Sequence, residues 1–209
     1  MNDRVIRGLY ALTPDEPDTP RLVAMVQAAL DGGARLVQYR NKVAPSDLRR
    51  AQAAALLRIC KQSNVPLIVN DLPGVAREIG ADGVHLGRDD GDVGAARARL
   101  PGRLLGVSCY DDIARAIAAE RAGADYVAFG RFFASITKPG DIRASLELVR
   151  QAKRRIRVPI VAIGGITLEH TPALIAGGID AIAVISALFS STDVRDTARR
   201  FAALFEAVP

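Results

Sequence analysis

The sequence predicts an α/β protein folded as a (β/α)8 barrel, a TIM barrel, in one domain spanning residues 1–209. Three observations lead there. Apolar strand-like runs recur roughly every 25 residues along the chain. Most are continuous rather than alternating, as in strands covered on both faces of a parallel sheet. Between them lie amphipathic helical stretches, and Gly-Ala or Gly-Gly pairs stand just before several of the runs. A glycine there can end a helix in a left-handed turn and hand the chain to the next strand.

In order, the runs are Gly8–Leu12, Arg35–Tyr39, Pro66–Asn70, Gly83–Leu86, Leu104–Val107, Tyr126–Phe129, Pro159–Ile163 and Ala181–Ile185. Leu22, Val26, Ala29 and Leu30 mark one face of the first helix. Leu48, Ala51, Ala55 and Ile59 mark a face of the second, which follows Pro45. Val194, Ala198, Phe201 and Phe205 mark the last, with Ser191, Thr192 or Asp193 as its cap. The glycine pairs are Gly33-Ala34, Gly80-Ala81, Gly123-Ala124 and Gly177-Gly178. Strands alternating with helices through short turns make a barrel. An open doubly wound sheet is the competing arrangement, and the missing Gly-rich dinucleotide fingerprint after the first strand argues against it.

Composition narrows the function. The chain of 209 residues is 49% hydrophobic, enough for a sizeable core, and carries a net charge of +5. Its basic clusters, Lys153–Arg157 and Arg199-Arg200, fall on helical stretches and read as solvated faces. With 5% aromatic residues and no Trp, stacking platforms for single-stranded nucleic acid are poor. Cys60 and Cys109 form no disulfide or metal-ligand pattern and read as buried thiols in a reducing compartment. No apolar signal core opens the chain and no membrane-length apolar run follows. The expectation is a soluble cytoplasmic protein with neither nucleic-acid nor membrane partners; oligomeric state, including a homo-oligomer, is left open.

In such a barrel the chemistry collects where strands end and run into helices. Strand one offers Tyr10 and Thr13, which read as packing or floor residues. Strand two ends in Gln38, Arg40 and Lys42. On an extended chain these share a face, and a guanidinium beside an ammonium suits an anionic ligand. Strand three ends Asn70-Asp71, and strand four runs into His85, Leu86, Gly87, Arg88, Asp89 and Asp90. Each carboxylate alone could cap a turn. Beside Arg40 and Lys42 they suit Mg²⁺ shared with substrate phosphates. His85 reads as a packed, hydrogen-bonded residue. Ser108 after strand five has no base partner at a usable motif spacing, so a hydrogen-bonding role is favoured over attack. The loop after strand six carries Ser135, Thr137 and Lys138, groups that bind phosphate. Gly164-Gly165 and Ile185-Ser186 end strands seven and eight, the usual phosphate-holding loops of these barrels. Whether the following helix is capped by Thr167 or Thr171 is unresolved, because Pro172 fits poorly with a start at Thr167.

Taken together, Gln38-x-Arg40-x-Lys42, Asn70-Asp71, His85-Leu86-Gly87 with Asp90, Ser108, Thr137-Lys138, Gly164-Gly165 and Ile185-Ser186 resemble the ordered motif set of the thiamine phosphate synthases. Departures are Arg88 where that family usually has Gln, Ser135 for the first Thr of the phosphate loop, and Arg131 for a usual Pro. The resemblance implies a transferase. A hydroxymethylpyrimidine diphosphate loses pyrophosphate, and a thiazole phosphate captures the pyrimidinylmethyl carbon to give thiamine phosphate. It implies that Arg40, Lys42 and Lys138 are catalytic cations and that Asp71 and Asp90 hold Mg²⁺. Substrate contacts would come from Gln38, Tyr39, Arg40, Asn41, Lys42, Asn70, Ser108, Ser135, Thr137, Lys138, Gly165, Ile185 and Ser186. The alternatives are a thiazole tautomerase-like or other phosphate-binding barrel enzyme, and a non-catalytic binder of a phosphate ligand.

Overall fold

The computed structural model describes residues 6–134 and 144–206. Eight parallel strands close into a barrel in sequence order: β1 (Gly8–Leu12), β2 (Leu36–Tyr39), β3 (Leu67–Asn70), β4 (Gly83–Leu86), β5 (Leu104–Tyr110), β6 (Tyr126–Phe129), β7 (Ile160–Ile163) and β8 (Ala181–Val184). Pairing of Gly8–Ala11 with Ala181–Val184 closes the ring, so the open-sheet alternative does not apply. β5 runs three residues beyond its expected end, through a register shift between Ser108 and Tyr110.

The side-chain alternation of extended chain divides the core into two layers. Tyr10, Leu12, Leu36, Ile68, Leu104, Tyr126 and Val161 fill the barrel interior. Leu9, Val37, Tyr39, Val107, Phe129 and Ile182 point outward, into a shell shared with the helices. Strands buried on both faces explain the continuous apolar runs.

The first helix, α1 (Thr19–Asp31), buries Leu22, Val26, Ala29 and Leu30 as its periodicity predicts, with Asp18 as N-cap. The second, α2 (Ser46–Gln62), is a correction. Its buried face is Gln52, Ala53, Ala55, Leu56, Leu57 and Cys60, while Ala51 is exposed. The face is turned toward Ala53, Leu56, Leu57 and Cys60, an apolar set at helical spacing, and it also takes in Gln52, a fully buried amide that a hydrophobic pattern does not place inside. The helices α3 (Pro73–Ile79), α4 (Val93–Arg99), α5 (Ile113–Arg121) and α6 (Leu146–Lys153) follow β3 to β6. The next, α7 (Thr171–Ala176), starts at Thr171 with Pro172 in its first turn, where a missing N–H costs nothing. A short α8 (Ser186–Phe189) precedes α9 (Val194–Glu206). The cap of α9 is Asp193, whose carboxylate accepts from the Asp196 N–H at 2.9 Å.

The glycines before strands take the expected left-handed conformation, with φ of 99° at Gly33, 75° at Gly80, 94° at Gly123 and 96° at Gly178. Cys60 and Cys109 are buried and free, and burial pushes both thiols up to about 12. Neither is thiolate at neutral pH. Among the described residues no helix is long and apolar enough to cross a membrane.

Candidate active site

The C-terminal ends of the strands form one rim. The inward row of β2 runs through Leu36 and Gln38 and continues into Arg40. Thr13, after β1, fixes that continuation: its hydroxyl donates to the Arg40 carbonyl at 2.8 Å, and the Arg40 N–H returns to the Thr13 oxygen at 2.8 Å. Thr13 is therefore an anchor for the next strand end.

Arg40 is 7% exposed. Its only ion pair among the described residues is a long one, Nη1 to the Asp15 carboxylate at 3.4 Å, and its buried Nε has no partner. A guanidinium removed from water and under-paired is costly; an anion in the mouth of the barrel would complete its hydrogen bonds. Asp15 also accepts from the Lys42 backbone N–H at 2.7 Å.

Lys42 reaches across to β3, its Nζ lying 3.4 Å from the Asp71 carboxylate. Asp71 sits just past β3 with φ 59°, a left-handed position that Asp tolerates better than most side chains. Its N–H donates to the His85 carbonyl at 2.9 Å. The pKa of the Asp71 carboxyl is raised. Burial is the first cause and the neighbouring Asp90 the second, with Lys42 opposing both. Asp90 in turn closes a turn by accepting from the Gly87 N–H at 2.7 Å.

Ser108, on the inward face of β5, bonds to His85 Nε2 at 2.8 Å. The helix α5 holds both strand ends in place. Arg115 donates through Nε to the Ser108 carbonyl at 2.8 Å and through Nη2 to the Gly87 carbonyl at 3.0 Å. Arg88 stacks its guanidinium 4.4 Å from the centre of the Tyr110 ring, so the departure at this position is met by a ring at the rim.

The segments after β6 and β7 pair with each other. Phe132 N–H donates to Ile163 O at 3.2 Å and Phe133 N–H to Gly164 O at 3.1 Å. Gly165 has φ 64°, and a Cβ there would lie 2.2 Å from the Ala134 carbonyl oxygen. What requires a glycine is this close approach to the strand-six segment. The His170 ring stacks on Phe133 with centroids 3.6 Å apart. Ile185 directly follows the adjacent β8, and Ser186 opens α8.

The rim thus unites Gln38, Arg40, Lys42, Asp71, Asp90 and Ser108. Asn70 is the last residue of β3, opposite His85 of β4. Tyr39 and Asn41 are not brought to that face. The Tyr39 hydroxyl donates to Gln52 Oε1 at 2.9 Å, and the Asn41 amide donates to the same oxygen at 3.1 Å. Alternation along β2 turns these two toward α2. Ser135, Thr137 and Lys138 lie outside the described residues.

Sequence reasoning missed four participants. Asp15 and Arg115 act on backbone groups that no motif marks. Gln52 was hidden by its polarity on a buried face. Tyr126 crosses the barrel to Tyr10, with hydroxyls 2.8 Å apart. The one trace of it in the sequence is Gly106, where a Cβ would stand 2.0 Å from the Tyr126 ring.

Residues 9–188 match the family model described as thiamine monophosphate synthase. A thiamine-phosphate synthase of Nitrosospira multiformis is 52% identical over 204 residues, covering 97% of this chain and 87% of the relative. That of Aromatoleum aromaticum is 50% identical over 99% of this chain and 100% of the relative. Among solved structures, a thiamine phosphate pyrophosphorylase from Pyrococcus furiosus superposes with a TM-score of 0.89 at 32% identity, covering 99% of each chain.

Proposed function

The chain belongs to the thiamine monophosphate synthase family, and from that premise we propose that it joins a hydroxymethylpyrimidine diphosphate to a thiazole phosphate, releasing pyrophosphate and forming thiamine phosphate. It is a transferase. The observation that carries the site assignment is the convergence of Arg40, Lys42, Asp71 and Asp90 at one rim, with Arg40 buried and short of partners.

Departure of pyrophosphate builds negative charge on its oxygens. Fixed cations aimed at that charge lower the transition state more than the ground state. Arg40, held in place at its backbone by Thr13, offers Nε and the guanidinium fork. Lys42 adds a point charge beside Asp71, and Lys138 would complete the set. Gln38, Asn70 and Ser108 orient the pyrimidine and its diphosphate. As the family resemblance implies, Ser135 and Thr137 would contact the thiazole, and the backbone of Gly165, Ile185 and Ser186 would hold its phosphate. Holding the two substrates in one orientation supplies much of the remaining acceleration. No enzyme nucleophile is required, because the diphosphate leaves as the thiazole nitrogen bonds to carbon.

The donor set fits Mg²⁺. Asp90 is one of the groups that raise the Asp71 pKa, as a neighbouring like charge does, and a divalent cation would relieve that repulsion. Among the described residues no cluster of three or more His, Cys, Asp or Glu could hold a metal; Mg²⁺ needs only one or two carboxylates and takes its other ligands from water and phosphate. When bound, the ion supplies positive charge beside the diphosphate oxygens. A cytoplasmic location belongs to the same reading.

The test is to mix both substrates with Mg²⁺ and measure pyrophosphate. Stoichiometric pyrophosphate and thiamine phosphate are expected. Thiazole isomerisation without pyrophosphate would assign the barrel to tautomerase-like chemistry instead.

A further inference from the structure

We infer that Gln38, Tyr10, Tyr126, His85 and Ser108 form a hydrogen-bond chain with a single direction, which fixes His85 as the Nε2–H tautomer and presents the Ser108 hydroxyl as a donor to an anionic substrate oxygen. The chain crosses the barrel interior. Gln38 Nε2 lies 2.8 Å from the Tyr10 hydroxyl, and Tyr10 lies 2.8 Å from the Tyr126 hydroxyl. From there it is 3.1 Å to His85 Nδ1, and His85 Nε2 lies 2.8 Å from Ser108 Oγ. The first four members are 3%, 1%, 0% and 7% exposed, so water does not supply alternative partners along most of its length.

The direction follows from donor counts. An amide nitrogen only donates, so the Tyr10 oxygen accepts from Gln38. Were Tyr126 the donor, the Tyr10 proton would be buried with no acceptor, because Tyr10 is 1% exposed and its other hydroxyl partner is the donating Gln38 amide; the Tyr10 proton therefore goes to the Tyr126 oxygen and the Tyr126 proton to His85 Nδ1. A neutral imidazole that accepts at Nδ1 carries its proton on Nε2. That proton is donated to Ser108, whose own hydroxyl hydrogen is left for a ligand. Burial raises the pKa of both tyrosines, which keeps each hydroxyl proton available to the chain.

Two consequences separate this arrangement from a superficially similar one. A serine beside a histidine can be a nucleophile with its base. Here the ring nitrogen facing Ser108 holds a proton and has no lone pair to offer, so Ser108 is a hydrogen-bond donor and not an attacking group. Tyr10, Tyr126 and His85 become positioning residues: Tyr126 is wholly buried and acts only through His85. The identity of the acceptor as a diphosphate oxygen rests on the function proposed above; the direction of the chain does not.

The full chain contains two histidines, so ¹⁵N-histidine labelling gives two ring systems, and His170→Asn assigns the remaining one to His85. The expected spectrum shows His85 with Nε2 protonated and Nδ1 bare; a predominant Nδ1–H form overturns the inference. Tyr126→Phe removes the donor at Nδ1 while keeping the ring. The His85 signals should lose their single-tautomer signature, and kcat should fall about tenfold (~1.4 kcal/mol of barrier) with KM for the thiazole phosphate within about twofold. An unchanged tautomer and an unchanged kcat in that variant would also overturn it. If the tautomer is as expected and no pyrophosphate is released, the hydrogen-bond chain stands and the proposed reaction falls.

Discussion

Gln52→Leu tests how the helix layer holds the catalytic end of β2. Gln52 is fully buried. Its Oε1 accepts from Tyr39 at 2.9 Å and from Asn41 at 3.1 Å, and its Nε2 donates to the Glu16 carbonyl at 2.8 Å. Leucine is close in volume, so the packing loss is small and the polar loss dominates. Asn41 and Glu16 keep each other, at 3.1 Å, which leaves the Tyr39 hydroxyl as the one buried group with no partner. An orphaned buried hydroxyl costs about 1–3 kcal/mol, and the other two lost bonds about 1 kcal/mol each, for a total of about 3–5 kcal/mol. Urea unfolding measures it. Tyr39→Phe removes the orphan, so the double variant should be about 1–3 kcal/mol less destabilised than the sum of the single changes. Because Asn41 and Glu16 flank Arg40 and Asp15, pyrophosphate release by Gln52→Leu should also fall, by about tenfold. Additive single changes, or a cost under about 1 kcal/mol, would refute the claim that this amide braces the site.

Other outcomes follow from the same geometry. Asp71→Asn should lower turnover on the order of 10²-fold or more while leaving the circular dichroism spectrum intact; near-parental turnover would remove the metal assignment. The same variant should be more stable than the parent at neutral pH without metal. Asp71 has a raised pKa in the folded protein, so its favourable contribution is present at low pH and is lost as pH rises from the ordinary carboxylate range through the folded value. The difference in Tm should shrink as pH falls below that range, and a variant less stable than the parent at pH 7 would contradict the sign. Lys138→Ala should slow turnover on the order of 10²-fold, and an unchanged rate would count against the loop after β6. In Gly165→Ala a Cβ meets the Ala134 carbonyl at 2.2 Å at a φ of 64°. A loss of about 1–3 kcal/mol in unfolding free energy is expected, with a raised KM for the thiazole phosphate; parental stability would show that the strand-six segment yields easily.

Much of the rim was legible in the sequence because its signals are local. Gln38, Arg40 and Lys42 are spaced by two, and extended backbone turns such residues to one side. Asp71 directly follows a strand, and Asp90 lies four residues beyond the end of one. The same local logic misplaced the face of α2. A hydrophobic pattern has no way to mark Gln52 as buried when its burial depends on Tyr39, Asn41 and Glu16, contributed by other elements. Nor does the spacing at the end of β2 show that the Tyr39 and Asn41 side chains bond to Gln52 on α2.

The amino-acid sequence by itself determined the strands, their order and the charges carried at their ends, since each depends on residues a few positions apart. Only the closed barrel decided which of those ends touch. Tyr10 and Tyr126 are 116 residues apart and share a hydrogen bond, and the Lys42 ammonium lies 3.4 Å from the Asp71 carboxylate across two strand ends. Such contacts are set by strand register around the ring. Register is a property of the whole sheet, because each strand's position is fixed by both of its neighbours and by the final pairing of β8 with β1.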